Sequence, residues 1–318
     1  MEAYPEQGRT AWIVSRRPAR PPAPHPDEPR GAFLEDEPLA DGRVARTGVI
    51  LLTNRECPWK CLMCDLWKDT TEESVPQGSV PRQVAAALGG WDPPPEQVKL
   101  YNSGSFFDPG AIDPGDYGEI ARLVSFASNV VVESHPRLAG ERAVRLRDLL
   151  GGSLEVAMGL ETAHPAALAK LNKGFGLEEF RKACGFLRSE GIAVRAFLLV
   201  HPPFVERGEA HAWAVRSAQF AYDCGAGAVA LIPTRDGNGA MEALRSSGDF
   251  HPPTLADLEA AHSAVLELRG GRAFADTWGL EAFSSCAACV QERILRLRRM
   301  NCSQAGEPGA SCPRCGCA

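Results

Sequence analysis

The sequence predicts an α/β fold, an incomplete, TIM-like (β/α)6 barrel. Between residues 47 and 270, six short apolar segments alternate with helix-like segments, and such alternation is typical of right-handed βαβ units in a parallel sheet. Six strands are too few for a closed barrel of eight. A compact cysteine motif directly follows the first strand, in the position where parallel βα folds place their chemistry.

Apolar runs that are bounded by polar residues, glycine or proline predict the strands, and the amphipathic segments between them predict the helices. The predicted strands are residues 48–53, 97–102, 129–134, 154–160, 192–201 and 228–232. The predicted helices are residues 81–88, 114–126, 141–150, 177–190, 208–223 and 254–269.

Two flanking segments differ from the barrel region in composition. Residues 1–46 are rich in proline and arginine, which favours an extended arm over a helix. Residues 271–318 hold six of the eleven cysteines. We therefore expect three parts: a Pro-rich N-terminal arm (1–46), the partial barrel (47–270) and a cysteine-rich, metal-binding tail (271–318).

Composition excludes several classes of protein. The net charge of −6 argues against a uniformly basic nucleic-acid-binding surface, although a local basic patch stays open. The first twenty residues lack the apolar core of a secretory signal, and no apolar run is long enough to span a membrane. We expect a cytoplasmic protein, in which many cysteines favour metal sites over disulfides.

The cysteine motif predicts an iron–sulfur site. Cys57, Cys61 and Cys64 are separated by three and then two residues, and three thiolates on one loop can bind three irons of a [4Fe–4S] cluster. The fourth iron is then open to a small molecule, as catalytic metal sites are. A zinc site is the alternative, but zinc normally takes four ligands at paired spacings.

This motif resembles the signature of the radical S-adenosylmethionine (SAM) superfamily. The resemblance implies that the open iron binds the amino and carboxylate groups of SAM and that SAM is cleaved reductively to a 5′-deoxyadenosyl radical. It also implies a reductant such as flavodoxin or ferredoxin. Met63 occupies the position at which the superfamily carries a bulky apolar residue near the adenine.

Polar residues at the ends of the later strands are the candidate SAM pocket, because ligands of parallel sheets bind at the carboxyl ends of strands. They are Ser103, Gly104, Ser105, Glu133, Ser134, Glu161 and Arg195. Each has a structural alternative. The glycine segment could be an ordinary turn, the glutamates could pair with Arg137 or Lys173, and Arg195 could point to solvent.

The tail predicts a second metal site. Cys286 and Cys289 form one pair and Cys312 and Cys315 another, a pattern that approximates four-cysteine zinc sites. An auxiliary iron–sulfur cluster is the alternative. Cys302 and Cys317 are left over. Arginines at 293, 296, 298 and 299 suit phosphate contacts or a solvated helix face equally.

Three segments, residues 98–109, 132–136 and 154–162, resemble the radical SAM subunit of archaeosine synthase, which is related to the catalytic subunit of Elongator. The resemblance covers about residues 47–244 and, more weakly, the cysteine-rich tail. It implies cleavage of a lysine adduct on a 7-deazaguanine base in tRNA. Two alternatives stay open: a radical SAM enzyme that acts on a peptide or small metabolite and carries an auxiliary cluster, and a non-catalytic, metal-stapled RNA-binding adaptor.

Overall fold

The computed structural model describes residues 3–316 as one eight-stranded sheet in the order β1 to β8. The strands are β1 (Gly31–Pro38), β2 (Val44–Leu51), β3 (Gln97–Tyr101), β4 (Asn129–Ser134), β5 (Ser153–Glu161), β6 (Ala193–Val200), β7 (Ala228–Pro233) and β8 (Arg272–Ala275). Strands β2 to β8 are parallel, and β1 pairs with β2 in the antiparallel sense. The sheet curls into a half barrel, which confirms the predicted fold class.

Helices alternate with the strands. They are α1 (Arg9–Ser15), α2 (Ser79–Leu88), α3 (Tyr117–Leu123), α4 (Glu141–Leu149), α5 (Pro165–Lys170), α6 (Leu177–Ser189), α7 (Ala210–Asp223), α8 (Ala240–Ser247), α9 (Leu255–Glu267) and α10 (Val290–Ser303). The six predicted helices correspond to α2, α3, α4, α6, α7 and α9. Helices α1, α5, α8 and α10 were not among the predicted elements.

The six predicted strands are present as β2 to β7, and their bounds differ from the prediction by four residues at most. The two outer strands were missed. Strand β1 lies within the segment interpreted as an arm, and it pairs with β2 along its whole length, from Gly31 opposite Leu51 to Pro38 opposite Val44. Strand β8 has only four residues. The boundaries at residues 46 and 270 remain a prediction.

Alternation along the strands separates an apolar face from a polar one. In β6, Val194, Ala196 and Leu198 belong to the hydrophobic core that the helices cover. Residues between them face the opposite side of the sheet, because side chains alternate along a strand. That inner face carries Arg195, which is 2% exposed and is paired with Glu155 of β5. The concave side of the half barrel is therefore the side that holds charged groups.

Over residues 3–316, none of the helices combines the length and the apolar character that a bilayer crossing requires.

Candidate active site

The cysteine loop follows β2 at the carboxyl edge of the parallel strands. Cys57, Cys61 and Cys64 are all half-buried on this loop. Two distant segments hold its backbone in place. The Leu62 N–H donates to the Leu171 carbonyl over 3.0 Å, and Asn238 Nδ2 donates to the Leu62 carbonyl over 2.8 Å.

The three thiols are near one another but too far apart for one metal ion. Burial, with a smaller contribution from a negative charge on Cys61, raises the pKa of Cys57 and Cys64 to about 12. Among groups of three or more candidate ligands within residues 3–316, only the four tail cysteines have ligand atoms that all lie within 4.8 Å of one another. The wider spacing of the loop thiols disfavours mononuclear zinc and fits a cluster, in which each thiolate binds a different iron.

The loop is also fixed by a stacked aromatic pair that the site prediction did not include. The ring of Trp59 lies on the ring of His135 with centroids 3.7 Å apart and planes 4° from parallel. His135 Nε2 is 2.8 Å from the Lys173 carbonyl oxygen. Burial lowers the pKa of His135 to about 4, so the imidazole is neutral at pH 7. Because a neutral imidazole has one N–H, this nitrogen is the donor to the carbonyl.

The predicted glycine turn packs directly on the cysteine loop. A Cβ atom on Gly104 would lie 3.2 Å from the Cys57 Cβ, so a larger residue would crowd the loop. Glu133 holds the turn, because its Oε1 accepts from the Asn102 N–H over 2.5 Å and from the Gly104 N–H over 3.3 Å. Burial raises the pKa of this carboxyl to about 7.

The serines beside the glycine join two strand ends. Ser105 Oγ lies 3.0 Å from Ser134 Oγ, which links the ends of β3 and β4. Ser103 has a φ of 55°, in the left-handed region that non-glycine residues seldom adopt. The structure therefore brings the residues predicted at 103–105, 133 and 134 together beside Cys57. Their contact with SAM remains a prediction.

Glu161 forms a buried ion pair with Lys173. Lys173 Nζ lies 2.7 Å from Glu161 Oε1, and both side chains are less than a tenth exposed. Burial opposes the charge on Lys173, but the Glu161 carboxylate and the Cys61 thiol raise its pKa above the ordinary value. Glu161 has a φ of 68° and follows a register shift in β5. Strained backbone of this kind is concentrated at functional sites.

The structure does not support Arg195 as a ligand for the SAM carboxylate. Its guanidinium does point into the barrel, but protein carboxylates occupy it: Nη2 lies 2.6 Å from Glu37 Oε1, and Nε lies 2.6 Å from Glu155 Oε1. Arg195 and Glu155 are each the third residue of their strand. The network thus lies toward the amino ends of the strands, away from the cysteine loop.

Met63 packs beside a small hydrophobic cluster that includes Trp12, Ile13 and Met241. Its predicted place near the adenine is therefore next to helix α1, which contributes two of these side chains. A role in SAM binding remains a prediction.

The predicted tail cysteines do come together. The Sγ atoms of Cys286, Cys289, Cys312 and Cys315 all lie within 4.8 Å of one another. Cys302 lies apart from them, with its Sγ 3.5 Å from the Asp36 carbonyl oxygen. Cys317 falls outside the described residues. The group can bind a metal ion.

The tail arginines are largely used inside the protein. Arg293 and Arg296 both pair with Glu259 of α9, and Arg299 pairs with Glu292 and Glu307. These ion pairs reduce the positive charge that the helix offers to a phosphate backbone. The arginine run therefore does not by itself indicate a nucleic-acid surface.

Comparison with solved structures shows likeness of fold at low sequence identity. Methylornithine synthase aligns with a TM-score of 0.52 at 11% identity, over 80% of this chain and 69% of that one. The Elp3 protein of Methanocaldococcus infernus aligns with a TM-score of 0.50 at 15% identity, over 61% of this chain and about half (51%) of that one. At these identities the likeness concerns the fold.

Comparison with curated sequences is more specific. Archaeosine synthase subunit beta of Methanosarcina acetivorans is 26% identical over 244 residues, 73% of this chain and 70% of the relative. The subunit beta of Thermococcus kodakarensis is 34% identical over 117 residues, about a third of each chain. An uncharacterised protein of Methanocaldococcus jannaschii is 24% identical over 72% of this chain. No protein-family model matches. The resemblance to archaeosine synthase that the sequence predicts is confirmed.

Two features of the site were not predicted as parts of it: the His135 ring and its partner Trp59. Lys173 was predicted only as a structural partner of a glutamate, and its ion pair with Glu161 confirms that alternative. Trp59 lies inside the cysteine motif, but its stacking partner is more than seventy residues away in sequence. Lys173 lies in the turn after α5, where a lysine gives no sequence signal of burial. The contacts of these residues arise from the meeting of loops at one edge of the sheet.

Proposed function

We propose that this chain is a radical SAM enzyme. The observation that carries the proposal is the group of three half-buried thiols at the carboxyl edge of a radical SAM-type half barrel, spaced too widely for one ion. Bound there by Cys57, Cys61 and Cys64, a [4Fe–4S] cluster would supply the electron that cleaves SAM to a 5′-deoxyadenosyl radical, which abstracts hydrogen from substrate. Flavodoxin or ferredoxin in the cytoplasm is the proposed reductant.

The residues around the loop have separate roles in this proposal. Gly104 lets the turn approach Cys57 closely, and Glu133 fixes that turn through two backbone N–H groups. The carbonyls and hydroxyls of residues 103–105 would accept hydrogen bonds from the SAM amino group. Glu161 would accept from ribose hydroxyls, and Lys173, which is ion-paired with Glu161, would orient it.

The same arrangement controls protons at the loop. Burial keeps the pKa of the Cys57 and Cys64 thiols high. Metal ligation requires thiolates, so metal binding must displace these protons. The Lys173 ammonium lies close enough to Cys61 for the two charges to interact. It therefore stabilises the anionic form of that ligand.

The proposed substrate is a modified 7-deazaguanine base in tRNA. Two relatives are named archaeosine synthase subunit beta, and one of them aligns over 70% of its own length. The resemblance of this chain to archaeosine synthase implies that hydrogen abstraction leads to cleavage of a lysine adduct on that base. The paired arginines of α10 lend no support to a separate RNA-binding role for the tail, which disfavours the adaptor alternative.

The first test is metal and cofactor analysis of anaerobically reconstituted protein. We expect about four irons with matching sulfide at the loop, and an EPR signal of the reduced protein that changes when SAM is added. Cys57→Ala should lose this iron, and Cys302→Ala, which alters a cysteine outside both groups, should keep it. A protein that binds no iron under these conditions would refute the proposal.

The substrate is tested separately. Formation of 5′-deoxyadenosine should increase when tRNA that carries the lysine-modified 7-deazaguanine is supplied, and unmodified tRNA should give no increase. Equal formation with and without the modified tRNA would refute the tRNA substrate. It would leave the radical SAM assignment intact and favour a peptide or small metabolite.

A further inference from the structure

The four tail cysteines have the spacing of ligands to a single ion. Their Sγ atoms lie mutually within 4.8 Å, and those of Cys289 and Cys315 are 3.7 Å apart. Tetrahedral zinc with Zn–S bonds of about 2.3 Å separates its sulfurs by about 3.8 Å. An auxiliary cluster binds each thiolate to a different iron and spreads the sulfurs more widely. We propose that these cysteines bind one structural zinc ion and that this ion closes the open side of the half barrel.

The site joins the two ends of the tail. Cys286 and Cys289 immediately precede α10, and Cys289 is its N-cap residue. Cys312 and Cys315 lie on the terminal segment beyond the helix. An ion shared by the two pairs therefore fixes the start of α10 to the chain that follows its end. A segment this short has little core of its own, and metal binding commonly stabilises such segments.

Helix α10 covers the exposed edge of β8. The side chain of Asn301 donates to the Ala275 carbonyl over 2.9 Å and accepts from the Ala275 N–H over 2.8 Å. The side chain of Gln304 forms the same pair of bonds with Ala273, at 3.0 and 2.7 Å. Two amide side chains thus satisfy backbone groups that a ninth strand would otherwise bind. Unpaired strand edges expose such groups to other chains.

The same helix reaches the other end of the sheet. Cys302 contacts the Asp36 carbonyl of β1 through its Sγ, and α10 packs against both β1 and β8. These are the first and last strands in the sheet order. Leu297 and Met300 of α10 are fully buried. The helix therefore lies across the gap between the two edges of the half barrel, over the inner charged network.

Closure depends on the register of α10, because the amides of Asn301 and Gln304 each match one residue of β8. The ion is bound at the start of α10, opposite the end that carries these amides, and prevents the helix start from unwinding. Ion pairs of Arg293 and Arg296 with Glu259 hold the helix against α9 between these two points. Loss of the ion should therefore free the helix start and expose the edge of β8.

The test uses the full chain as purified, with metal analysis and hydrogen exchange. Wild-type protein should contain about one zinc per chain. Cys312→Ser should lose the zinc and keep the iron of the cysteine loop, and the matched variant Cys302→Ser should keep both metals. In Cys312→Ser, the amides of Ala273 and Ala275 should exchange at least about tenfold faster, because their partners on α10 are released.

A second measurement covers the case in which Cys312→Ser fails to fold. Zinc is removed from wild-type protein with a chelator and then added back, and exchange of the same two amides is followed at each stage. Exchange should accelerate on removal and return on addition of Zn²⁺ alone. Tail-bound iron with sulfide in place of zinc, or zinc retained by Cys312→Ser, would overturn the metal assignment. Zinc loss without faster exchange would overturn the closing role. None of these outcomes depends on SAM chemistry.

Discussion

Replacement of Arg195 by methionine should destabilise the protein without weakening SAM binding. Arg195 is 2% exposed and lies between Glu37 and Glu155, which are 5% and 2% exposed. Removal of one partner of a buried ion pair costs about 3–5 kcal/mol, because the other charge is left unpaired. Each carboxylate here keeps one further cation, Lys99 for Glu37 and Arg272 for Glu155. We therefore expect the lower end, about 3 kcal/mol in the free energy of unfolding.

The assay is equilibrium urea unfolding followed by far-UV circular dichroism, with Arg195→Lys as the matched control. Lysine keeps the charge but lacks the planar fork, so it should recover part of the loss. Arg195 holds the pKa of both carboxyls below the usual value even though burial opposes it. The stabilisation is therefore complete above the ordinary glutamate pKa of 4.5 and declines as the pH falls below it.

Two measurements distinguish the two roles considered for Arg195, a structural cation and a ligand of the SAM carboxylate. A structural cation changes the urea midpoint and leaves the dissociation constant of SAM within about twofold in folded protein. A ligand of the SAM carboxylate would do the reverse. A variant with wild-type stability and tenfold weaker SAM binding would refute the assignment of Arg195 to the inner network.

Three further predictions concern the cysteine loop and its neighbours. His135→Ala removes the stack on Trp59 and one hydrogen bond, which together are worth about 2 kcal/mol. After gel filtration this variant should retain less iron per chain than the control His135→Phe, which keeps an aromatic ring. Gly159→Ala would place a Cβ against Glu161 Oε1. It should lower the free energy of unfolding by about 1–3 kcal/mol, followed by thermal shift, and weaken SAM binding, measured by titration. A variant with unchanged stability and binding would contradict the close packing. The pKa of Glu133 is raised from 4.5 to about 7. The contribution of this carboxyl to the free energy of unfolding is therefore complete below pH 4.5 and is lost as the pH rises to 7. Glu133→Gln should flatten the dependence of stability on pH over that range.

The sequence was informative where structure is local and periodic. Strands β2 to β7 are buried on both faces and appear as apolar runs separated by helices, so the alternation identified all six. Strand β1 was missed because prolines flank it and only alternate residues of 31–37 are shielded from solvent, so the segment does not appear as an apolar run. Strand β8 was missed because four residues carry too little pattern, and part of its edge pairing comes from side chains of α10.

In the candidate site, too, the features that depend on local sequence were predicted, and those that depend on distant residues were not. The three loop cysteines and the two tail pairs were identified because ligand spacing is a property of short segments. The direction of a side chain and the identity of its partner depend on distant residues. One of the two alternatives for Arg195, a side chain that points into the barrel, agrees with the structure. Its partner Glu37 could not be predicted, because it lies on a strand that was missed. Asn172 and Asn238 reach the cysteine loop from loops more than a hundred residues away.

The half barrel holds two groups of buried charge, the inner network and the cysteine loop, and only the first is balanced by the protein's own side chains. The inner network is self-contained: the three cations Lys99, Arg195 and Arg272 face the three carboxylates Glu35, Glu37 and Glu155, so it needs no ligand for neutrality. The loop differs because three thiolates and Glu161 would share the buried ammonium of Lys173 and the charge of Lys60, which is already paired with Glu56. Burial makes such an excess of negative charge costly, and the thiols keep their protons until a cation replaces them. In the proposed cluster, iron held by these thiolates would supply the missing positive charge, and the order of the loop would then depend on the metal.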